Sequence, residues 1–246
     1  MCGRYAMTTS VADLSALFGA EDGIGSAQPP RYNIAPTQPV VVVRGAPDTG
    51  GRLLSLARWG LVPPWGGRRG GRLPRLINAR AETVATSPAF ATAFATRRCV
   101  VPASGWYEWA RIDARRKRPY FLTAANGDVL GFAGIWALGH PADARTLTCG
   151  IVTTAATGAL ASVHDRMPLL LSRARWAEWL DPGELGAGES NGVLRPPEEP
   201  DLTGIECRPV GADVGDVRND GPELMRAVDP APPGQPAGEL PDLTLF

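Results

Sequence analysis

The chain has 246 residues, of which 44% are apolar and 20% charged, and its formal net charge is zero, as in a soluble globular protein. This length is enough to bury a substantial core without disulfide staples. No apolar run approaches the roughly 20 residues of a membrane span, and the amino terminus lacks the basic and apolar segments of a signal peptide, so we expect a cytoplasmic protein without a membrane partner.

The first predicted element is a helix over residues 10–18. Ser10 can cap its amino terminus, apolar residues recur on one of its faces, and Gly19 is typical of a helix end. The next segment, residues 19–31, is rich in glycine and proline, which predicts a loop.

Apolar segments bounded by turn residues predict strands along much of the remaining chain. These strands are expected at residues 40–43, 53–59, 99–101, 120–123, 129–136, 147–153 and 205–210. Further helices are predicted from Ser87 to Arg98 and from Arg173 to Leu180. Strands dominate without regular strand-helix alternation, so the predicted fold class is α+β with a mainly antiparallel sheet.

The chain is predicted to form one domain over residues 1–227, because no repeat or break in composition divides it. Residues 228–246 are rich in proline, contain carboxylates and lack any basic residue, which predicts a disordered tail. The four cysteines are far apart and only two histidines are present, so neither a metal site nor a cofactor is expected.

The zero net charge conceals a basic segment. Residues 58–118 contain thirteen Lys and Arg against three carboxylates, a net charge of +10, and the remaining residues carry −10. Tryptophans such as Trp59, Trp65 and Trp106 lie among these arginines, although we expect at least half of the aromatic residues to be in the core. Stacking rings beside phosphate-binding cations are what a single-stranded nucleic acid groove requires.

Cys2 is a candidate nucleophile because it directly follows Met1, and removal of Met1 would place an α-amine beside its thiol. The two groups have ordinary pKa values of about 7.7 to 8.0 and about 8.5, so both are partly nucleophilic near neutral pH. Such a 1,2-aminothiol captures an aldehyde by forming an imine that the thiol then closes into a thiazolidine. A cysteine at position two can also be there by chance.

Two titratable residues have contexts that suit proton transfer. Glu108 stands between Tyr107 and Trp109, and packing against these rings would raise the pKa of its carboxyl, unless it lies on the solvated face of a strand. His164 can exchange protons near neutral pH, whereas His140 lies in a predicted surface turn.

Seven motifs stand out along the chain. They are Cys2-Gly3-Arg4-Tyr5, Tyr32-Asn33-Ile34-Ala35-Pro36, Trp59-Gly60-Leu61-Val62-Pro63, Ile77-Asn78-Ala79-Arg80-Ala81-Glu82, Arg98-Cys99 with Gly105-Trp106-Tyr107-Glu108-Trp109, His164-Asp165-Arg166-Met167-Pro168, and Asn219-Asp220-Gly221-Pro222-Glu223-Leu224. In this order, over residues 2–227, they resemble the SRAP family, the SOS-response-associated peptidases, also called abasic-site processing proteins.

The resemblance implies a barrel-like antiparallel core and a protein that binds single-stranded DNA and links its amino-terminal cysteine to the aldehyde of an abasic site. It implies a DNA-damage role, with lyase and self-processing peptidase chemistry as companions and association with the nucleoid when bound to damaged DNA. We expect a monomer. The catalytic residues implied are Cys2, Asn78, Glu108 and His164, and the DNA-binding residues are Arg4, Asn33, Pro36, Trp65, Arg80 and Trp106.

Two other functional classes stay open at this point. An amidohydrolase of the glutaminase type also uses an amino-terminal cysteine, whose thiol attacks a carbonyl while the amine acts as base. A noncatalytic module for single-stranded DNA would keep every activity when Cys2 is replaced by alanine.

Overall fold

The computed structural model describes residues 2–46, 50–65, 75–139, 146–183, 185, 190–198, 202 and 204–229. Within the predicted tail only residues 228 and 229 are described, so the expectation of disorder lies outside the described residues. The glycine- and arginine-rich residues 66–74 and His140 lie outside them as well.

Strands make up most of the regular structure, and the helices are short. The strands are β1 (Tyr5–Met7), β2 (Ala20–Asp22), β3 (Arg31–Ile34), β4 (Pro39–Gly45), β5 (Arg52–Trp59), β6 (Asn78–Arg80), β7 (Arg98–Ala103), β8 (Gly105–Arg111), β9 (Lys117–Ala124), β10 (Leu130–Leu138), β11 (Leu147–Ala155), β12 (Arg166–Pro168), β13 (Leu170–Leu171) and β14 (Ile205–Pro209). The α-helices are α1 (Val11–Phe18), α2 (Ala81–Val84), α3 (Ala91–Thr96), α4 (Trp176–Leu180) and α5 (Ser190–Val193).

The larger sheet closes into a ring. Strands β11, β10, β7, β4 and β5 are neighbours in that order, and β5 also pairs with β11. The pairs β11–β10, β10–β7, β7–β4 and β4–β5 are antiparallel, whereas the closing pair β5–β11 is parallel. This arrangement confirms the predicted α+β class with a mainly antiparallel, barrel-like sheet.

A second sheet has the strand order β14-β9-β8-β1-β3 and packs against the ring through aromatic side chains. Tyr5 of β1 contacts Trp59 and Phe132 of the ring at centroid distances of 5.4 and 6.1 Å, and Trp106 of β8 contacts Phe132 at 5.9 Å. All four rings are buried. Burial of each large apolar side chain stabilises the fold by about 1.5–3 kcal/mol, so these contacts join the two sheets around one core.

Helix α1 follows its sequence signals closely. Ser10 Oγ accepts a hydrogen bond from the Asp13 amide at 3.1 Å, and Gly19 ends the helix in the left-handed region at φ 56°. A side-chain acceptor satisfies an amide that has no partner within the helix, and glycine adopts positive φ without steric cost. The predicted helix over residues 10–18 is therefore confirmed.

Several other boundaries differ from the sequence-based expectation. The predicted loop 19–31 contains β2, which pairs in parallel with β5 and so takes its structure from a distant segment. The predicted helix from Ser87 to Arg98 is helical only over α3, because Arg97 leaves helical geometry and Arg98 pairs with Ile135 of β10. The helix expected from Arg173 begins as a 3₁₀ turn over Arg173–Arg175 and continues as α4.

Gly105, which opens β8, is required by close packing. A Cβ atom at this position would lie 2.4 Å from Phe121 Cζ and 2.5 Å from the Leu122 carbonyl oxygen. Any larger residue would push β8 away from β9 and shift Glu108, which lies three residues further along β8. No helix in the described part of the chain is long and apolar enough to cross a bilayer.

Candidate active site

Asn78 is tied directly to Cys2. The Asn78 side chain, at the start of β6, donates a hydrogen bond from Nδ2 to the Cys2 carbonyl oxygen at 2.9 Å. Strand β6 is held in place by parallel pairing with β11, where Asn78 is level with Ile151. Asn78 Oδ1 is buried and has no hydrogen-bond partner among the described residues. Because an unpaired buried acceptor is costly, this oxygen is suited to bind a donor that arrives with a substrate.

Glu108 is a buried carboxylic acid on β8, with 4% of its surface exposed. Burial raises its pKa from 4.5 to about 7, and the positive charge of the chain's amino terminus acts in the opposite direction. A carboxyl group with this pKa can both accept and donate a proton near neutral pH. The predicted environment of Glu108 is thus present, and the alternative of a solvated strand face is wrong.

The Cys2 thiol is fully buried. Burial raises its pKa well above the ordinary value, and the nearby Glu108 carboxylate raises it further. Both effects disfavour the thiolate, since an anion is poorly solvated in the core and is repelled by a second anion. When Glu108 is protonated the second effect vanishes, so its protonation state controls how readily Cys2 ionises.

His164 follows a 3₁₀ helix over Gly158–Ser162 and is partly exposed. Its Nδ1 accepts a hydrogen bond from the Arg166 amide at 2.9 Å, which places the proton of the neutral ring on Nε2. Burial lowers the pKa of His164, followed by the charge of the amino terminus, while Asp165 acts in the opposite direction. The ring is therefore biased towards its neutral form.

Asp165 is a neighbour of the site whose role the sequence did not reveal. Its Oδ1 lies 2.8 Å from His164 Nδ1, a contact that becomes a salt bridge only when the ring is protonated. Its charge also contributes to the raised pKa of Glu108. The only sequence signal was its place next to His164, which is not sufficient to indicate a contact.

An ion pair joins two of the sequence motifs at the edge of the site. Arg166 donates from both terminal nitrogens to the two carboxylate oxygens of Glu82, at 2.7 and 3.0 Å, and also to the Thr153 carbonyl oxygen. The Arg166 hydrogen bond lowers the pKa of Glu82. This bidentate geometry connects α2 to β12, and so fixes the segment after Asn78 relative to the one after His164.

The structure places two predicted DNA contacts inside the protein. Arg4 is buried and its NH1 donates to Asn33 Oδ1 and to the Val214 carbonyl oxygen, both at 2.9 Å. Asn33 is fully buried and donates from Nδ2 to the carbonyl oxygens of Asp216 and Asn219 at 3.0 and 2.8 Å. Both side chains thus anchor the segment after β14, and their contact with DNA stays a prediction.

The other predicted DNA contacts differ in exposure. Trp65 is 48% exposed and Arg80, two residues after Asn78, is also exposed, while Pro36 is half-buried. Trp106 is fully buried, so its ring offers no face for stacking with a base in this structure. Its Nε1 has no hydrogen-bond partner among the described residues.

Thr37, next to Pro36, has an unusual backbone. Its φ is 75°, and its amide donates to the Trp59 carbonyl oxygen at 2.7 Å. A β-branched residue in this region is strained, and such strain is common at functional sites. A threonine in the sequence does not signal positive φ, so this feature could only come from the structure.

In the part of the chain that the structure describes, the side chains show no arrangement for a metal ion. Among the described residues, no group of three or more His, Cys, Asp or Glu side chains could hold one. The groups near Cys2 are instead the amide of Asn78 and the carboxylic acid of Glu108, whose pKa is about 7. The imidazole of His164 is connected to them electrostatically, because the amino terminus and Asp165 influence the pKa values of both His164 and Glu108. This set is suited to proton transfer around a nucleophile.

Comparison with known protein families gives a match over residues 1–217 to the model of a family described as SOS response associated peptidase (SRAP). Among individual proteins, the chain is 31% identical over 230 residues to the abasic site processing protein YoqW of Bacillus subtilis, covering 92% of this chain and all of the relative. It is 32% identical over 232 residues to the abasic site processing protein YedK of Escherichia coli, covering 93% of this chain and all of the relative.

Solved structures share the fold. A protein from Bacteroides thetaiotaomicron superimposes with a TM-score of 0.76 at 20% identity, covering 92% of this chain and all of the other. A phage-related protein from Bordetella bronchiseptica superimposes with a TM-score of 0.66 at 28% identity, covering 85% of this chain and 94% of the other.

Proposed function

Because the chain belongs to the SOS response associated peptidase (SRAP) family, we propose that it processes abasic sites in DNA by linking Cys2 covalently to the abasic sugar. The names of its relatives support a role in abasic-site processing. The observation that carries the chemistry is the buried carboxyl group of Glu108. Its pKa is about 7, and it interacts electrostatically with both the Cys2 thiol and the amino terminus. The family match favours this role over the amidohydrolase alternative.

The reaction begins with the closed form of the abasic sugar. The protonated form of His164, whose Nδ1–H pairs with Asp165, donates its Nε2 proton to the ring oxygen, and the freed Nε2 takes the proton of the anomeric hydroxyl, so that the ring opens to the aldehyde. Only the open form has a carbonyl carbon that an amine can attack.

Attack by the amine follows once Met1 has been removed. Glu108 takes a proton from the Cys2 ammonium, the free amine adds to the aldehyde carbon, and the protonated Glu108 returns its proton to the carbinolamine hydroxyl, which leaves as water. Asn78 holds the Cys2 carbonyl oxygen from one side, and its Oδ1 accepts a hydrogen bond from the attacking amine. Loss of water leaves a protonated imine, which gives its N–H proton to the Glu108 carboxylate, so the product is an imine between the Cys2 nitrogen and C1′ of the sugar.

Ring closure uses the thiol. The sulfur adds to the imine carbon, the electron pair of the C=N bond moves to nitrogen, and the thiol proton is transferred to that nitrogen, giving the thiazolidine. While Glu108 is protonated, it no longer raises the pKa of the Cys2 thiol. The proton that Glu108 takes from the imine nitrogen therefore makes the subsequent ionisation of the thiol easier.

Two companion activities follow from the same groups. The imine acidifies the neighbouring sugar carbon, so loss of a proton there permits strand cleavage by β-elimination. Self-removal of the residue before Cys2 would use the thiol as nucleophile and Glu108 as base. Trp65 offers an exposed ring for stacking and Arg80, two residues after Asn78, an exposed cation, which supports single-stranded DNA as the substrate.

The test mixes protein whose amino terminus has been verified as Cys2 by mass spectrometry with a single-stranded oligonucleotide that contains one abasic site. Wild type is expected to give a stable shifted band on a denaturing gel. Cys2→Ala should abolish this band because no thiol can close the ring, while strand cleavage through the remaining amine persists.

The matched control is Cys207→Ala, which removes a half-buried free cysteine on β14 and should crosslink normally. An equally stable band with Cys2→Ala would assign the linkage to another nucleophile and overturn the proposal. Release of ammonia from glutamine without any DNA linkage would favour the amidohydrolase instead.

A further inference from the structure

Two arginines lie close to the ring of one tryptophan on β10. The guanidinium carbon of Arg44 lies 5.2 Å from the ring centroid of Trp136, and that of Arg97 lies 5.7 Å from it. All three side chains are half-buried, and none of them belongs to the active site. We call this group the Arg44–Trp136–Arg97 cluster.

The ring topology brings these residues together. Arg44 is near the end of β4 and pairs with Cys99 of β7, while Arg97 immediately precedes β7, and its carbonyl oxygen accepts a hydrogen bond from the Trp136 amide. Trp136 follows Phe132 by four residues along β10, which is about 13 Å at the usual rise of a strand. Phe132 packs against Tyr5 and Trp106, so the cluster is built four residues further along β10 than those contacts.

The positive charge of the cluster is not neutralised within the described part of the chain, where no carboxylate forms an ion pair with Arg44 or Arg97. Arg44 donates from Nε to Ser55 Oγ at 3.1 Å and from NH1 to the Gly45 carbonyl oxygen at 3.2 Å, both neutral acceptors. Burial lowers the pKa of Arg44, so keeping this cation in place is costly. An anionic ligand would repay that cost.

Other charged groups near the cluster are already engaged. The Arg98 guanidinium donates to backbone carbonyl oxygens, including those of Trp179 and Asp181. The Asp181 carboxylate accepts a hydrogen bond from the Gly183 amide at 2.7 Å. Arg52, which pairs with Gly45 at this end of the ring, donates to the Phe18 carbonyl oxygen. Of these described groups two are cations and one is an anion, so together with Arg44 and Arg97 they carry a net positive charge.

We infer that the cluster is a second contact for single-stranded DNA, which binds the strand beyond the abasic nucleotide while the active site holds that nucleotide. Paired guanidinium groups bind phosphate oxygens, and an indole beside them can stack with a base, a combination typical of sites that bind single strands without sequence preference. The inference rests on the proposed function, because the ligand is the same DNA strand. It adds a binding site that the linkage chemistry itself does not require.

The variant Arg44→Gln/Arg97→Gln tests this site. For single strands, each lost phosphate contact reduces the slope of log affinity against log salt concentration by about 0.7, so the slope for a 30-residue oligothymidylate should fall by about 1.4. At low salt its affinity should fall about tenfold. An abasic 5-mer crosslinks through the active site alone, and its rate should stay at the wild-type value.

A control variant removes the same charge elsewhere. Arg173→Gln/Arg195→Gln loses two exposed arginines that already lie near carboxylates, 3.6 Å from Asp128 and 3.7 Å from Glu178. The salt-dependence slope of this variant should change by less than half as much as that of Arg44→Gln/Arg97→Gln. Equal slopes for the two double variants would overturn the inference. It would also be overturned if the cluster variant lost 5-mer crosslinking by the same factor as 30-mer affinity.

A second substitution tests the role of the ring. Trp136→Leu should weaken binding of the 30-mer, whereas Trp136→Phe, which keeps an aromatic ring, should retain most of the wild-type affinity. Thermal unfolding confirms that both variants are folded. Equal affinities of the leucine and phenylalanine variants for the 30-mer would exclude stacking and contradict the inference. If wild-type protein forms no crosslink while the slope difference persists, the linkage chemistry fails and the second DNA contact stands.

Discussion

Glu108 shows how a single residue can be unfavourable for folding and useful for chemistry. Its carboxyl is buried on β8, and burial raises its pKa to about 7. Between pH 4.5 and 7 the unfolded chain releases this proton and the folded chain retains it, so the free energy of unfolding decreases as pH rises. A shift from 4.5 to about 7 corresponds to about 3 kcal/mol.

The variant Glu108→Gln separates these two effects. Above pH 7 it should be more stable than wild type by up to about 3 kcal/mol, and near pH 4.5 the difference should disappear, as measured by urea unfolding across this range. The same variant should link abasic DNA about 10²–10⁴ times more slowly, since the proton acceptor is lost, while it still binds DNA.

The exposed Glu21 provides the control for charge alone. Glu21→Gln should show no stability gain that grows with pH. A stability difference between Glu108→Gln and wild type that is constant from pH 4.5 to 8 would contradict the raised pKa of Glu108. Linkage by Glu108→Gln at the wild-type rate would show that Glu108 takes no part in the reaction.

At the scale of elements, one buried arginine joins three short segments. Arg98 opens β7 and its side chain reaches the ends of α3 and α4. The carbonyl oxygens that accept its hydrogen bonds are those of Phe94, Ala95, Trp179, Asp181 and Gly183. The last carbonyl groups of a helix lack partners within it, and a cation near them also interacts favourably with the helix dipole.

Arg98→Met should therefore destabilise the protein by about 3 kcal/mol, because several buried carbonyl oxygens lose their donor at once. Chemical denaturation measures this loss, and Arg111→Met, at an exposed position at the end of β8, should change stability by less than about 0.5 kcal/mol. Similar values for the two variants would show that water replaces the guanidinium without cost.

At the scale of the whole molecule, the segment after β14 is held to the start of the chain. Asp220 accepts hydrogen bonds from the amides of Tyr32 and Asn33 and from Arg31 Nε, across more than 180 residues. Arg4 and Asn33 donate to carbonyl oxygens of the same segment. These contacts position β3 and β1, and β1 begins three residues after Cys2.

Replacing Asp220 with alanine should loosen this connection. Amide hydrogen exchange at Tyr32 and Asn33 should become at least about tenfold faster, because a free-energy loss of 1.4 kcal/mol is one factor of ten and both amides lose their acceptor. Asp213→Ala, an exposed substitution in the same segment, serves as the control. Unchanged exchange in Asp220→Ala would mean that the segment contributes no restraint to β3.

The sequence was informative where physical signals are local. Helix α1 has its cap and its terminal glycine within ten residues, and the apolar segments of β4, β5, β10 and β11 were visible as strands. The short strands β1, β3, β6 and β12 were missed because three or four residues carry no detectable periodicity, and their backbones are ordered by partners far along the chain.

By itself, the sequence determined the fold class, the family and the motif residues of the candidate site, because residue types and their order are enough for these. Only the tertiary structure decided that Asn78 binds the Cys2 carbonyl oxygen, that burial raises the pKa of Glu108, and that Arg4 and Asn33 face the protein. The physical reason is that desolvation and hydrogen-bond geometry depend on which distant segments pack together, and strand pairing across more than a hundred residues leaves no mark on any one stretch of sequence.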